Sequence, residues 1–168
     1  MSHFEKVSYK RWKTDCGFLN ISEIELKRRY DEILLPKQAT GSSAGCDFFM
    51  PFSLILEPES KVRIATGIRW ITDKRDRNLV LMIFPRSGLG FKYGIKLSNT
   101  VGVIDADYCD SYNEGHIIVS LENPSAESIK LPSGKPFVQG IVVKYEIPTG
   151  AESIEPRNGG FGSTDEKE

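Results

Sequence analysis

Prolines, glycines, asparagines and serines punctuate this chain at short intervals, and that rhythm limits what it can fold into. The breaks Glu57-Pro58-Glu59-Ser60, Asn123-Pro124-Ser125 and Pro132-Ser133-Gly134 leave room only for short apolar runs. Lys61-Val62-Arg63-Ile64-Ala65-Thr66 alternates, as a half-buried strand should. Leu79 to Phe84 is continuously apolar, which predicts a strand buried on both faces. His116 to Leu121 and Phe137 to Ile147 read as further strands. Many short strands with frequent turns point to an all-β sandwich or barrel.

The N-terminal part departs from this rhythm. Ser22-Glu23-Ile24-Glu25 has the form of a capping box, in which Ser22 caps and Glu25 can return the bond. Leu26, Tyr30 and Ile33 follow at helical spacing, which predicts a surface helix over residues 22–32, with a second helical turn around Tyr9 to Cys16. From Pro156 the chain turns Gly-rich and then charged, the composition of a flexible tail. The expected organisation is one β domain, residues 1–155, with a helical extension over about 8–33, followed by the tail, residues 156–168. A length of 168 residues suits one domain, and a hydrophobic content of 39% supplies a core.

Charge and sulfur content exclude several classes. A net charge of −1 provides no global basic field for nucleic acid. The basic runs Lys27-Arg28-Arg29 and Lys74-Arg75 sit beside acids and read as solvated faces. No stretch approaches the roughly 20 apolar residues of a membrane helix, and Met1 to Glu5 does not open a signal peptide. Cys16, Cys46 and Cys109 are odd in number and form no CxxC pair, so a zinc site is not expected. Reduced thiols point to the cytoplasm. His3 and His116 are the only histidines, so histidine chemistry has few candidates. The chain has no GxxxxGK[ST], no zinc-deaminase signature and no GxSxG.

Five segments have the residue types that chemistry needs. Gly41-Ser42-Ser43-Ala44-Gly45-Cys46-Asp47 lets backbone approach a ligand before Asp47 enters a strand, and alone it also reads as a tight turn. Pro85-Arg86-Ser87-Gly88 offers a cation, a hydroxyl and flexible backbone to phosphate oxygens, or is a turn with a surface arginine. In Gly102-Val103-Ile104-Asp105-Ala106-Asp107-Tyr108 an acid follows β-branched apolar residues. A carboxylate so placed loses solvation and becomes a better base, unless Asp105 is simply a turn residue. Gln139 lies between Phe137 and Ile141 on one face of an alternating strand and must find a partner, backbone or ligand. Gly159-Gly160-Phe161-Gly162-Ser163-Thr164 could fold over a nucleotide, ring on base and hydroxyls on phosphate, or be a disordered tail.

In this order the five segments resemble the five motifs of the trimeric dUTPase family, from about Leu35 to Thr164. The resemblance implies a β jelly roll assembled as a homotrimer, with active sites shared between subunits. It implies dUTP as substrate and Mg²⁺ held by the triphosphate and waters. Asp105 would be the general base that deprotonates the water attacking the α-phosphorus. Asp47 would order the metal's water shell indirectly. Arg86, Ser87, Gly88 and Gln139 would contact the phosphates. A hairpin from Asn99 to Asp105, with Gly102 and Ile104, would read uracil, and Tyr108 would pack under the deoxyribose. Phe161 would stack on the base, with Gly162, Ser163 and Thr164 at the terminal phosphate and Arg157 clamping phosphate.

The chain departs from the family pattern at four points, one of them a first 34 residues longer than a minimal member needs. Cys46 replaces an aromatic, and the loop Cys109 to Gly115 replaces a shorter Arg-Gly continuation. That loop offers Tyr112 as a rival to Tyr108, although spacing from Asp105 favours Tyr108. Arg157 lies one residue closer to Phe161 than usual. Two other readings compete: a dCTP deaminase on the same fold, with Glu114 as its one candidate carboxylate, and a non-catalytic jelly-roll binding module.

Overall fold

The computed structural model describes residues 1–17, 19–73 and 78–151. Lys74-Arg75 and the tail segment with Arg157, Phe161, Gly162, Ser163 and Thr164 lie outside the described residues. The described strands are β1 (His3–Lys6), β2 (Lys37–Gln38), β3 (Cys46–Phe49), β4 (Leu54–Leu56), β5 (Ser60–Ala65) and β6 (Ile68–Ile71), followed by β7 (Leu79–Pro85), β8 (Lys96–Leu97), β9 (Gly102–Asp105), β10 (Ile118–Asn123), β11 (Ile129–Leu131) and β12 (Pro136–Lys144). The helices are α1 (Tyr9–Asp15), α2 (Glu23–Asp31) and α3 (Ser87–Tyr93), with a short 3₁₀ turn at Tyr108–Asp110.

The largest sheet orders its strands β2-β3-β12-β7-β9, and a second runs β5-β10-β8. Two strand pairs, β1-β6 and β11-β4, complete the layers, and every pairing is antiparallel. The core between them is apolar and aromatic: Phe48, Leu56, Ile64, Trp70, Leu81, Ile83, Leu121 and Phe137 are buried.

The run Leu79–Phe84 differs from expectation. Leu81 and Ile83 are buried, but Val80, Met82 and Phe84 are only partly covered. Period-2 alternation sends the two sets to opposite faces, and this chain supplies a full layer to only one. Register places Val80, Met82, Phe84, Val103, Asp105, Gln139, Ile141 and Val143 on the less covered face. Val103 there is 59% exposed.

The simple alternation expected for Gln139 also fails. A register shift between Pro136 and Val138 lets both Phe137 and Val138 turn into the core, so Gln139 shares its face with Ile141 but is not in plain alternation with Phe137.

The two N-terminal helices form near their expected places, and a serine caps each. Ser8 Oγ accepts from Arg11 N at 3.1 Å, and Ser22 Oγ accepts from Glu25 N at 3.2 Å. The reciprocal half of the capping box is absent. The Glu25 carboxylate accepts from Arg28 and Arg29 instead, and these hydrogen bonds hold it down to about 2. Trp12 is fully buried and its indole N–H donates to Ala65 O at 3.1 Å, fixing α1 to the end of β5. Leu26 and Ile33 turn into the same core.

Candidate active site

A cavity of about 580 Å³ lies where the two sheets part. Its walls include Ile83 of β7, Leu97, Ser98, Asn99, Gly102 and Ile104 around the β8–β9 connection, Ile118 to Ser120 of β10, and Tyr108. That volume suits a nucleoside-sized ligand. The segment from Asn99 to Asp105 is not a hairpin. Strand β8 pairs with β10 and β9 pairs with β7, so the segment bridges two sheets and walls the cavity between them. Thr100 takes φ +66° to make this turn, and Val101 N donates to Asn99 O at 2.7 Å. Gly102 is required by packing, since a Cβ there would stand 3.0 Å from Ile83 Cβ.

Tyr108 sits at the cavity, 5% exposed, whereas Tyr112 is 75% exposed and away from it. The Tyr108 hydroxyl donates to His116 O at 3.1 Å and accepts from Asn113 Nδ2 at 2.8 Å. Gly115 has φ +68°, and a Cβ would lie 2.5 Å from Cys109 Cα, so the long loop folds tightly back on itself. Glu114 is held away from any nucleobase role: its carboxylate accepts from Ser8 N at 2.7 Å and Ser8 Oγ at 2.6 Å.

A second set of polar groups gathers at the C-terminal end of β7. Asp47 on β3 is 7% exposed and forms an ion pair with Arg86. Arg86 precedes α3, whose first residues are Ser87 and Gly88. A Cβ at Gly88 would meet nothing within 4 Å, so the backbone there is open to a ligand. Gln139 pairs in register with Asp47 on one side and Phe84 on the other, and its Nε2 donates to Pro85 O at 3.5 Å. Arg86, Ser87, Gly88, Gln139 and Asp47 therefore come together.

One chain does not unite Asp105 with this polar cluster. Asp105 pairs with Val80 near the start of β7, while Gln139 pairs with Phe84 near its end. Those rows lie about 13 Å apart along the sheet, at roughly 3.3 Å per residue. Asp105 follows Ile104 but is not among the cavity-lining residues.

Several residues here carry no local signal in the sequence. Arg63, Ser98 and Ser120 line the cavity, and only the alternation of β10 hinted at Ser120. The buried ring of His116 contacts Asp15 at 2.5 Å, a pairing across 101 positions that no local pattern could reveal. Helix α3 was hidden by Gly88 and Gly90, which weaken the helical signal.

Among the described residues no group of three or more His, Cys, Asp and Glu could hold a metal. Among the described residues no helix is long and apolar enough to cross a membrane.

The profile of the dUTPase family matches residues 31–165. The deoxyuridine 5′-triphosphate nucleotidohydrolase of Psychromonas ingrahamii is 39% identical over 153 residues, covering 84% of this chain and 97% of that relative. The crystal structure of dUTPase from Streptococcus mutans superposes with a TM-score of 0.66 at 28% identity, over 88% of this chain and 99% of that one. A dUTPase from phage phi11 of S. aureus, described with a structural Mg(II) ion, shares the fold with a TM-score of 0.65 at 16% identity, over 92% of this chain and 97% of that one. Motif order, sheet topology and these likenesses agree, and the chain belongs to the dUTPase family.

Proposed function

We propose that this protein hydrolyses dUTP to dUMP and pyrophosphate, with Mg²⁺, at sites shared between the subunits of a cytoplasmic homotrimer. Such an activity keeps uracil out of DNA and supplies dUMP for thymidylate synthesis. The observation that carries the reading is the division of the motif residues: Asp105, which follows the cavity wall at Ile104 and pairs with Val80, and a phosphate-type cluster level with and beyond Phe84, about 13 Å away along β7. A complete site needs both, so a second copy would bring its cluster to this cavity. The half-covered apolar face of the large sheet, with Val80, Met82, Val103 and Val143, suits such a copy.

Asp105 accepts the proton of a water as that water attacks the α-phosphorus, and the bond to the bridging oxygen breaks as pyrophosphate leaves. Arg86, Ser87, Gly88 and Gln139 bind the triphosphate oxygens. Backbone amides near Gly102 and Ile104 donate to uracil O4, where cytosine presents an amine, and unpaired buried groups can discriminate by roughly 10⁴-fold. Tyr108 closes the space a 2′-hydroxyl would need. The segment with Arg157, Phe161, Gly162, Ser163 and Thr164 covers the base and terminal phosphate.

The donor set fits Mg²⁺ only as an ion held mainly by substrate and water. Asp47 is a single buried carboxylate already paired with Arg86, and among the described residues no metal-ligating cluster stands beside it. Asp47 would hold the ion's waters, and the bound ion would neutralise charge on the triphosphate.

The test is pyrophosphate release from dUTP, dCTP, dTTP and UTP, with Mg²⁺ and with chelator. Fast, Mg²⁺-dependent release from dUTP alone is expected. No release from any of the four, or ammonia release from dCTP, would overturn the reading.

A further inference from the structure

We propose that helix α1, which precedes the region matched by the family profile, positions the sugar-discriminating tyrosine: Asp15, acting through His116, holds Tyr108 where it excludes a 2′-hydroxyl. The inference rests on the reading of Tyr108 given above.

The chain of contacts is continuous. His116 is fully buried, and its Nε2 accepts from Gly67 N at 2.8 Å. The ring proton therefore sits on Nδ1, which donates to Asp15 Oδ2 at 2.5 Å. The backbone oxygen of the same His116 accepts from the Tyr108 hydroxyl at 3.1 Å. His116 N in turn donates to Asn113 O at 3.1 Å, and Asn113 Nδ2 donates to that hydroxyl. Fixing the His116 ring thus fixes the acceptor that orients Tyr108.

The same helix grips the loop a second time. Glu114 is bound by Ser8, the N-cap of α1, so α1 holds both residues that flank Gly115. Asp15 is itself steadied by an ion pair with Arg11 one turn earlier. The burial of Trp12 against Ala65 already docks the helix, whereas the two carboxylate contacts are directed at the loop. A platform that works by steric exclusion is sensitive to small displacements, and a shift on the order of 1 Å can cost about 10²-fold.

The experiment compares kcat/KM for dUTP and UTP in the wild-type protein and in Asp15→Ala, Asp15→Asn, Glu114→Ala and Tyr108→Ala. It also includes Asp15→Ala in a Tyr108→Phe background. Asp15→Ala is expected to lower the preference for dUTP over UTP about tenfold, a fraction of that displacement effect. Asp15→Asn, whose amide oxygen still accepts from Nδ1, should recover most of it. In the Tyr108→Phe background, where the connecting hydroxyl is gone, Asp15→Ala should add nothing. A purely structural role would lower both rates together and leave the ratio unmoved. If Asp15→Ala does not fold, Asp15→Ser, too short to reach Nδ1, makes the same comparison, and Glu114→Ala reads the second grip of α1 on the loop. A ratio that moves in Tyr108→Ala but not in the Asp15 or Glu114 variants overturns this inference alone. A ratio unmoved in Tyr108→Ala overturns the reading of Tyr108 and this inference with it.

Discussion

At Gly45 a missing Cβ arranges the phosphate end of the site. A Cβ there would stand 2.8 Å from Gln139 Oε1, the far end of a flexible side chain. Gly45→Ala should therefore displace the amide without unfolding the protein. The expected result is a loss of about tenfold in kcat/KM for dUTP, the worth of one hydrogen bond to a charged group, with an unchanged melting temperature. Asp105→Asn should keep the fold by circular dichroism and cut turnover by about 10²–10⁴-fold, and near-normal turnover would remove Asp105 from the role of base. The cysteines differ in burial, Cys16 being buried and Cys46 and Cys109 partly exposed. Burial first, and then the charge of Asp15, push the Cys16 thiol up to about 12, while burial raises Cys46 and Cys109 by less. Thiol labelling of the native protein near pH 8, read by mass spectrometry, should modify Cys46 and Cys109 and leave Cys16 untouched until denaturant is added.

At the scale of elements, α1 links acid stability to the site. Burial raises the Asp15 carboxyl, but hydrogen bonds from His116 and Arg11 outweigh it and hold the group below its ordinary 3.8. The unfolded chain takes up that proton more readily than the folded one, so the stabilisation is full above about pH 4 and is lost as pH falls through the folded value. Asp15→Asn should flatten the acid side of a melting-temperature profile below about pH 4 and change little near neutrality. How legible each element was follows from the range of its interactions. The cap Ser22 acts over three residues, and α2 formed where it predicted; α1 formed at the helical turn expected around Tyr9 to Cys16, with Ser8 as a cap that only the structure revealed. Alternation found β5, a continuous apolar run found β7 but misplaced one of its faces, and apolar stretches between turns found β10 and β12. Alternation did not find the register shift before Val138, which depends on how Phe137 packs. It could not reveal that β8 and β9 join different sheets, nor that His116 meets Asp15. Those facts are properties of the assembled chain.

For the whole molecule, the distance along β7 decides the question. Asp105 stands by Val80, and the Asp47–Arg86 pair stands beyond Phe84, so no rearrangement short of breaking the β7–β9 and β7–β12 ladders brings them together in one copy. The same sheet presents its less covered apolar face with Asp105 and Gln139 on it. A threefold assembly that buries this face would solve both problems, completing each site from two chains. It also makes a prediction that no single-chain site can satisfy. Asp105→Asn lacks the base, and Arg86→Gln keeps a hydrogen-bond donor for Asp47 while losing the guanidinium's charge. Each variant alone should be nearly inactive. When the two are co-refolded in equal amounts, random assembly should pair an intact Asp105 with an intact Arg86 in roughly a quarter of the sites. Activity should then rise well above that of either variant and approach that fraction of wild type. If the mixture stays as inactive as its components while exchanging subunits freely, both residues serve their site from the same chain.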